Sequence, residues 1–115
     1  MNIGLLGCGV VGGGILDFCA GRKDLTVTKV LVRRPRPDLG ALAVTDIADI
    51  VNDEAIGIVA EVMGGLHPAY EYICAALKAG KHVVTANKAV ISAYYPELTG
   101  LARECGVSLR CTAAV

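Results

Sequence analysis

The chain has no tryptophan, a single phenylalanine and only 4% aromatic residues, although 54% of its 115 residues are hydrophobic. A core without large rings must be built of Val, Ile, Leu and Ala, the filling expected between a sheet and helices on both of its faces. Charge imbalance is also missing, since Lys plus Arg and Asp plus Glu number 11 each. No net field exists to draw in nucleic acid or an anionic membrane, so any anion site must be local. No apolar run reaches the ~18 residues of a membrane span, and the longest, residues 3–16, is interrupted by six glycines. A basic leader is absent as well, which argues against secretion and for a cytoplasmic protein. The five cysteines are odd in number and form no CxxC pair, as expected of reduced thiols in that compartment. His67 and His82 stand apart from each other and from any cysteine pair, so no metal site is expected.

What the chain does have is a regular alternation of strand and helix signals, with no linker, repeat or low-complexity run, so it forms one domain over residues 1–115. Residues 2–6 make a short buried strand. Val11, Ile15, Phe18 and Cys19 then lie on one face of a helix that Gly21 ends. Residues 27–32 form a β-branched strand, and residues 33–39, with Pro35 and Pro37, an extended loop. Asp46 caps a short helix through Ile47, Ile50 and Val51. A third strand spans residues 56–62. Pro68 opens a helix with Ala69, Tyr72, Ile73, Ala76 and Leu77 inward, closed by Gly80. A fourth strand (residues 81–85), a helix over residues 96–105 with Leu98, Leu101, Ala102 and Cys105 inward, and a fifth strand (residues 107–111) complete the chain. Strands joined by helical crossovers predict an α/β fold: a Rossmann-type doubly wound parallel sheet in the order 3-2-1-4-5. Cys105 and Cys111 face inward in this scheme, which disfavours a redox-sensing role, because buried thiols are inert.

Between the first strand and the first helix stands Gly7-Cys8-Gly9-Val10-Val11-Gly12, the GxGxxG spacing. Gly7 permits a tight turn, Gly9 lets backbone approach a pyrophosphate, and Gly12 allows close packing of helix on strand. The amides of Val10 and Val11, at the positive end of the helix, would face the phosphates. The strand before the motif and the amphipathic helix after it are the context this mechanism requires. A nicotinamide dinucleotide is therefore the expected ligand. At the end of the second strand, where the NAD-selective form of the fold carries an Asp or Glu for the ribose hydroxyls, this chain has Val32-Arg33-Arg34. Two guanidinium groups suit a 2′-phosphate, so NADP is preferred over NAD.

Two further segments are distinctive: Val59-Ala60-Glu61-Val62-Met63-Gly64-Gly65 and Val83-Val84-Thr85-Ala86-Asn87-Lys88-Ala89. Together with the glycine loop they resemble homoserine dehydrogenase, and the likeness covers essentially the whole chain. The resemblance implies an NAD(P)-dependent reduction of aspartate 4-semialdehyde to homoserine, a step in threonine and methionine biosynthesis. It places Met63, Gly64 and Gly65 beside the cofactor, with Thr85 and Asn87 near its nicotinamide end. It also makes Lys88 the catalytic residue, holding the cofactor and taking part in proton transfer at the substrate oxygen. A cation there would stabilise a developing alkoxide, and desolvation would help it pass a proton. Glu61, inside an otherwise apolar strand, is expected to bond loop backbone and to have no catalytic role.

The likeness weakens at Thr112, where the family usually has an acid. The family's substrate and dimerisation domain, with its second lysine, substrate carboxylates and sodium site, follows that point. The expectation is thus a cofactor-binding domain that turns nothing over alone, while the full-length form is a homodimer acting on a small molecule. A stand-alone dinucleotide sensor that signals through a partner protein is the alternative.

Overall fold

A computed structural model describes residues 1–7, 14 and 21–111. The helix expected through Val11, Ile15, Phe18 and Cys19 lies outside the described residues. The strands are β1 (Asn2–Leu6), β2 (Thr26–Leu31), β3 (Ala43–Val44), β4 (Ile56–Glu61), β5 (His82–Thr85) and β6 (Leu109–Cys111). All their pairings are parallel, in the order β3-β2-β1-β4-β5-β6. The expected 3-2-1-4-5 pattern therefore holds with one strand added. Its third place is taken by the two-residue β3, so residues 56–61, counted third in the sequence, form the fourth strand and lie directly beside β1.

Three helices are described: α1 (Ala48–Val51), α2 (Ala69–Lys78) and α3 (Lys88–Cys105). Period-two alternation divides the strands between two cores. Leu6, Leu31, Val59 and Val83 face one way and pack with Ile50 of α1, Ile73 and Leu77 of α2, and Val90 and Leu98 of α3. Ile3, Leu5, Val27, Val30 and Ala60 face the other way, packed by Leu25, Leu39 and Leu42. Each fully buried aliphatic side chain contributes about 1.5–3 kcal/mol, and among the described residues the buried hydrophobic side chains are all aliphatic. Tyr70 and Tyr94 stack on each other at 3.9 Å and join α2 to α3.

Three expectations need correction. The proline-rich stretch is not extended throughout: Pro37–Leu42 forms a 3₁₀ turn with proline in its first turn, broken at Gly40. Helix α3 begins eight residues earlier than expected, because the Asn87 side chain caps it by accepting a hydrogen bond from the Val90 amide at 3.2 Å. Pro96 lies inside that helix, and the backbone leaves helical geometry at Tyr94 (φ −130°); a proline has no amide to bond the carbonyl four residues back. Cys105 and Cys111 are half-buried rather than sealed inside. No described helix is long and apolar enough to cross a membrane.

At the amino edge of the sheet, Asp53 collects two lysines. Lys81, buried before β5, donates to the Asp53 carbonyl at 2.6 Å, and the Lys29 ammonium lies 3.1 Å from the carboxylate. The Ala55 amide and then Lys29 hold the Asp53 carboxyl below its usual 3.8. A carboxyl depressed by folding stabilises the fold above its unfolded value, and that contribution disappears as pH falls through the folded value. Asp53→Asn should accordingly lower the urea midpoint at pH 7, with the deficit closing as pH drops below 3.8. A deficit of equal size at pH 7 and pH 3 would show that charge is not its source.

Candidate dinucleotide site

The chain leaves β1 toward β2 and β3 on one side, and later continues from β4 to β5 and β6 on the other. In open parallel sheets such a change of direction opens a crevice beyond the carboxyl ends of the strands, where ligands bind. A cleft of about 570 Å³ lies there. Gly7, directly after β1, forms its floor. Arg33, Arg34, Arg36 and Thr45, which follow β2 and β3, line one wall, and Val62, Met63 and Tyr72 line the other. One wall is thus rich in cationic donors and the other is apolar.

Gly7 has φ +90°, and its amide donates to the Leu31 carbonyl at 3.0 Å, turning the chain across the end of β2. A Cβ at this position would lie 3.1 Å from Met63 Cγ and 3.2 Å from Met63 Cα. A side chain here would have to adopt a left-handed backbone and push the Met63 backbone back by a few tenths of an ångström, which favours glycine. The remaining members of the motif, Gly9, Val10, Val11 and Gly12, lie outside the described residues. Arg33 and Arg34 are exposed. Arg36 is gripped by Asp38 through two hydrogen bonds, Nε to Oδ1 at 3.1 Å and Nη2 to Oδ2 at 3.0 Å. That guanidinium holds the Asp38 carboxyl below the usual carboxylate range.

A second group lies where β4 and β5 end side by side, with Glu61 paired to Thr85. Glu61 is fully buried. Its carboxylate accepts from the Met63 amide at 2.8 Å, the Thr85 hydroxyl at 2.5 Å and the Asn87 side-chain amide at 3.3 Å. Asn87 also donates to the Gly65 carbonyl at 2.6 Å, and its backbone amide donates to Thr85 Oγ1 at 3.0 Å. Gly64 and Gly65 both have positive φ, 77° and 73°, with open space where a Cβ would stand. Lys88, the first residue of α3, is exposed. The desolvation expected of Lys88 is therefore not supplied by the described residues.

Gly7, Arg33, Arg34 and Met63 thus share one cleft, while Gly64, Gly65, Thr85, Asn87 and Lys88 share the adjoining edge. Thr85 and Asn87 are buried, with hydrogen-bonding groups directed at Glu61 and Gly65 rather than outward. The expectation that Glu61 bonds loop backbone holds at Met63, and two side chains join it. Sequence reasoning missed Arg36, Thr45, Val62 and Tyr72 as cleft residues. Arg36 had a signal in the basic stretch it shares with Arg33 and Arg34, whereas Tyr72 carried only the helical spacing of a core residue.

A cleft at the strand-order switch, lined by a left-handed glycine set tightly against Met63, fits a dinucleotide domain. Comparison with known proteins agrees. The family described as "Homoserine dehydrogenase, NAD binding domain" matches residues 7–112. Homoserine dehydrogenases of Pseudomonas aeruginosa and Synechocystis sp. are 39% and 44% identical to the chain; each match covers 100% of the chain and 29% of the relative. The crystal structure of a homoserine dehydrogenase from Thiobacillus denitrificans superposes with a TM-score of 0.90 at 36% identity, over 100% of this chain and 30% of that one. The S. aureus enzyme at pH 8.5 gives 0.87 at 34% identity, over 99% and 32%. The chain thus spans about 30% of the length of the proteins it matches. Full-length coverage of the chain, at this identity and with this backbone agreement, makes it a member of the homoserine dehydrogenase NAD-binding domain family.

Proposed function

We propose that the chain holds the nicotinamide dinucleotide of an NAD(P)-dependent homoserine dehydrogenase and takes NADP in preference to NAD. The observation that carries the preference is the wall after β2: Arg33 and Arg34 stand exposed at the cleft where an NAD-selective site has a carboxylate. In this reading Gly7, Gly9 and Gly12 keep the pyrophosphate path free of side chains, and the Val10 and Val11 amides bind it. Met63, Gly64 and Gly65 border the cofactor toward the nicotinamide, with Thr85 and Asn87 shaping that end from beneath.

When bound, the dinucleotide supplies a hydride to the carbonyl carbon of aspartate 4-semialdehyde. Lys88 stabilises the developing alkoxide and passes a proton to that oxygen, giving homoserine. Its place at the first turn of α3 brings an exposed ammonium to the same sheet edge as the glycine pair. Substrate binding and homodimerisation belong to the portion of the relatives that the chain does not match. The domain alone is thus expected to bind cofactor in the cytoplasm without turnover.

Isothermal titration with NADPH and NADH, beside an assay of homoserine oxidation, tests this reading. Binding of NADPH at least about tenfold tighter than NADH, without oxidation, is the expected result. Equal affinities would refute the NADP preference, and absence of both would refute the dinucleotide assignment.

A further inference from the structure

We infer that Glu61 is a positioning residue: its buried carboxylate ties the loop after β4 to the segment after β5 and so forms the nicotinamide end of the site before any cofactor arrives. The inference rests on the dinucleotide reading of the cleft. A carboxylate sealed from water is costly, and an aliphatic side chain would pack as well at the end of β4. What an aliphatic residue cannot do is accept three hydrogen bonds. The donors come from three places: the Met63 backbone in the next loop, and the side chains of Thr85 and Asn87, 24 and 26 residues further along the chain.

The Asn87 side chain decides what these bonds achieve. Its Oδ1 caps α3 through Val90, while its Nδ2 reaches both Glu61 and the Gly65 carbonyl. A carboxylate can only accept, so Glu61 requires the same orientation of the Asn87 amide as the Gly65 carbonyl and the Val90 amide do, with Nδ2 toward the sheet. With the amide so oriented, one side chain starts the helix that carries Lys88 and holds the carbonyl of the left-handed glycine pair. Without Glu61 the Asn87 amide keeps its bonds to Gly65 and Val90 but loses its anchor at the end of β4, and with it the tie that references Gly65 and Lys88 to the sheet. Arg33 and Arg34 follow β2 on the opposite wall of the cleft, away from the residues that Glu61 bonds. Glu61 therefore shapes one end of the site and leaves the other alone.

This separation gives the test. Wild type, Glu61→Gln and Thr85→Val are titrated with NADPH and with adenosine 2′,5′-bisphosphate, which carries the adenine end only. Glutamine puts a donor where one of the three donors now points, and Thr85→Val removes one of them; both weaken the network in a folded chain. The variants are expected to bind adenosine 2′,5′-bisphosphate within about twofold of wild type and NADPH about tenfold more weakly. If Glu61→Gln does not fold, Thr85→Val alone carries the comparison. Equal weakening of both ligands, or of neither, would overturn the positioning role while leaving the dinucleotide reading intact. Failure of the wild type to bind either ligand would overturn both.

Discussion

Replacing Gly7 by alanine is expected to lower the unfolding free energy by about 2–6 kcal/mol and to remove dinucleotide binding. Two costs add. An L-residue at φ +90° is strained by about 1–3 kcal/mol. The new methyl would also press on Met63, and its Cα, at 3.2 Å, cannot swing aside as the flexible Cγ can. Forcing an extra methyl group into packed surroundings costs about 1–3 kcal/mol. Against a total stability of roughly 5–15 kcal/mol for a domain, that is a large fraction. Gly64→Ala separates the two contributions, because Gly64 has a similar positive φ but open space around its missing Cβ. Urea denaturation of both variants should show Gly7→Ala as the more damaging. Equal midpoints would mean that the approach of Met63 adds nothing to backbone strain.

The second large effect concerns the arginines. Arg33→Ala combined with Arg34→Ala should weaken NADPH binding about 100-fold and leave NADH within about twofold, because each guanidinium lost removes charge-assisted bonds worth roughly 1.5 kcal/mol at an exposed site. Only the 2′-phosphate distinguishes the two ligands, so the ratio of affinities isolates it. Arg36→Ala should cost less, since Asp38 already engages its Nε and one Nη. The preference should also shrink as salt rises, because exposed charges are screened within about 8 Å at physiological ionic strength. Loss of both cofactors in equal measure would point to collapse of the wall and count against phosphate recognition.

The fold was legible where pattern and punctuation coincide. The apolar run of β1, ended by a glycine motif, and the Ala69, Ile73, Ala76, Leu77 stripe of α2 both carry a period that only one structure satisfies. The strand at Ala43–Val44 carries none, since two residues cannot show alternation. It exists because β2 offers an open edge, a tertiary fact. The first half of α3 was hidden by Pro96, which reads as a helix start; the backbone does break just before it, at Tyr94, and a separate helical segment runs from Lys88 to that kink. The cap at Asn87 was the signal that marked the earlier start. Of the candidate site, the places of Gly7, Arg33 and Arg34 in the cleft were legible, because a glycine motif and a basic stretch are local features of the sequence. The linkage of Glu61 with Thr85 and Asn87 was not, because it depends on register between β4 and β5, which places residues two dozen positions apart side by side.

The brevity of β3 has a bearing on how this domain avoids unwanted partners. An open sheet ends in a row of unpaired amides and carbonyls, a template on which another chain can add a strand and begin to aggregate. On this side β3 covers Val30 and Leu31 with a strand of only two residues, and the turn just before it begins with proline, which has no amide to offer. The strand that ends the sheet on this side thus gives a neighbouring chain little to extend.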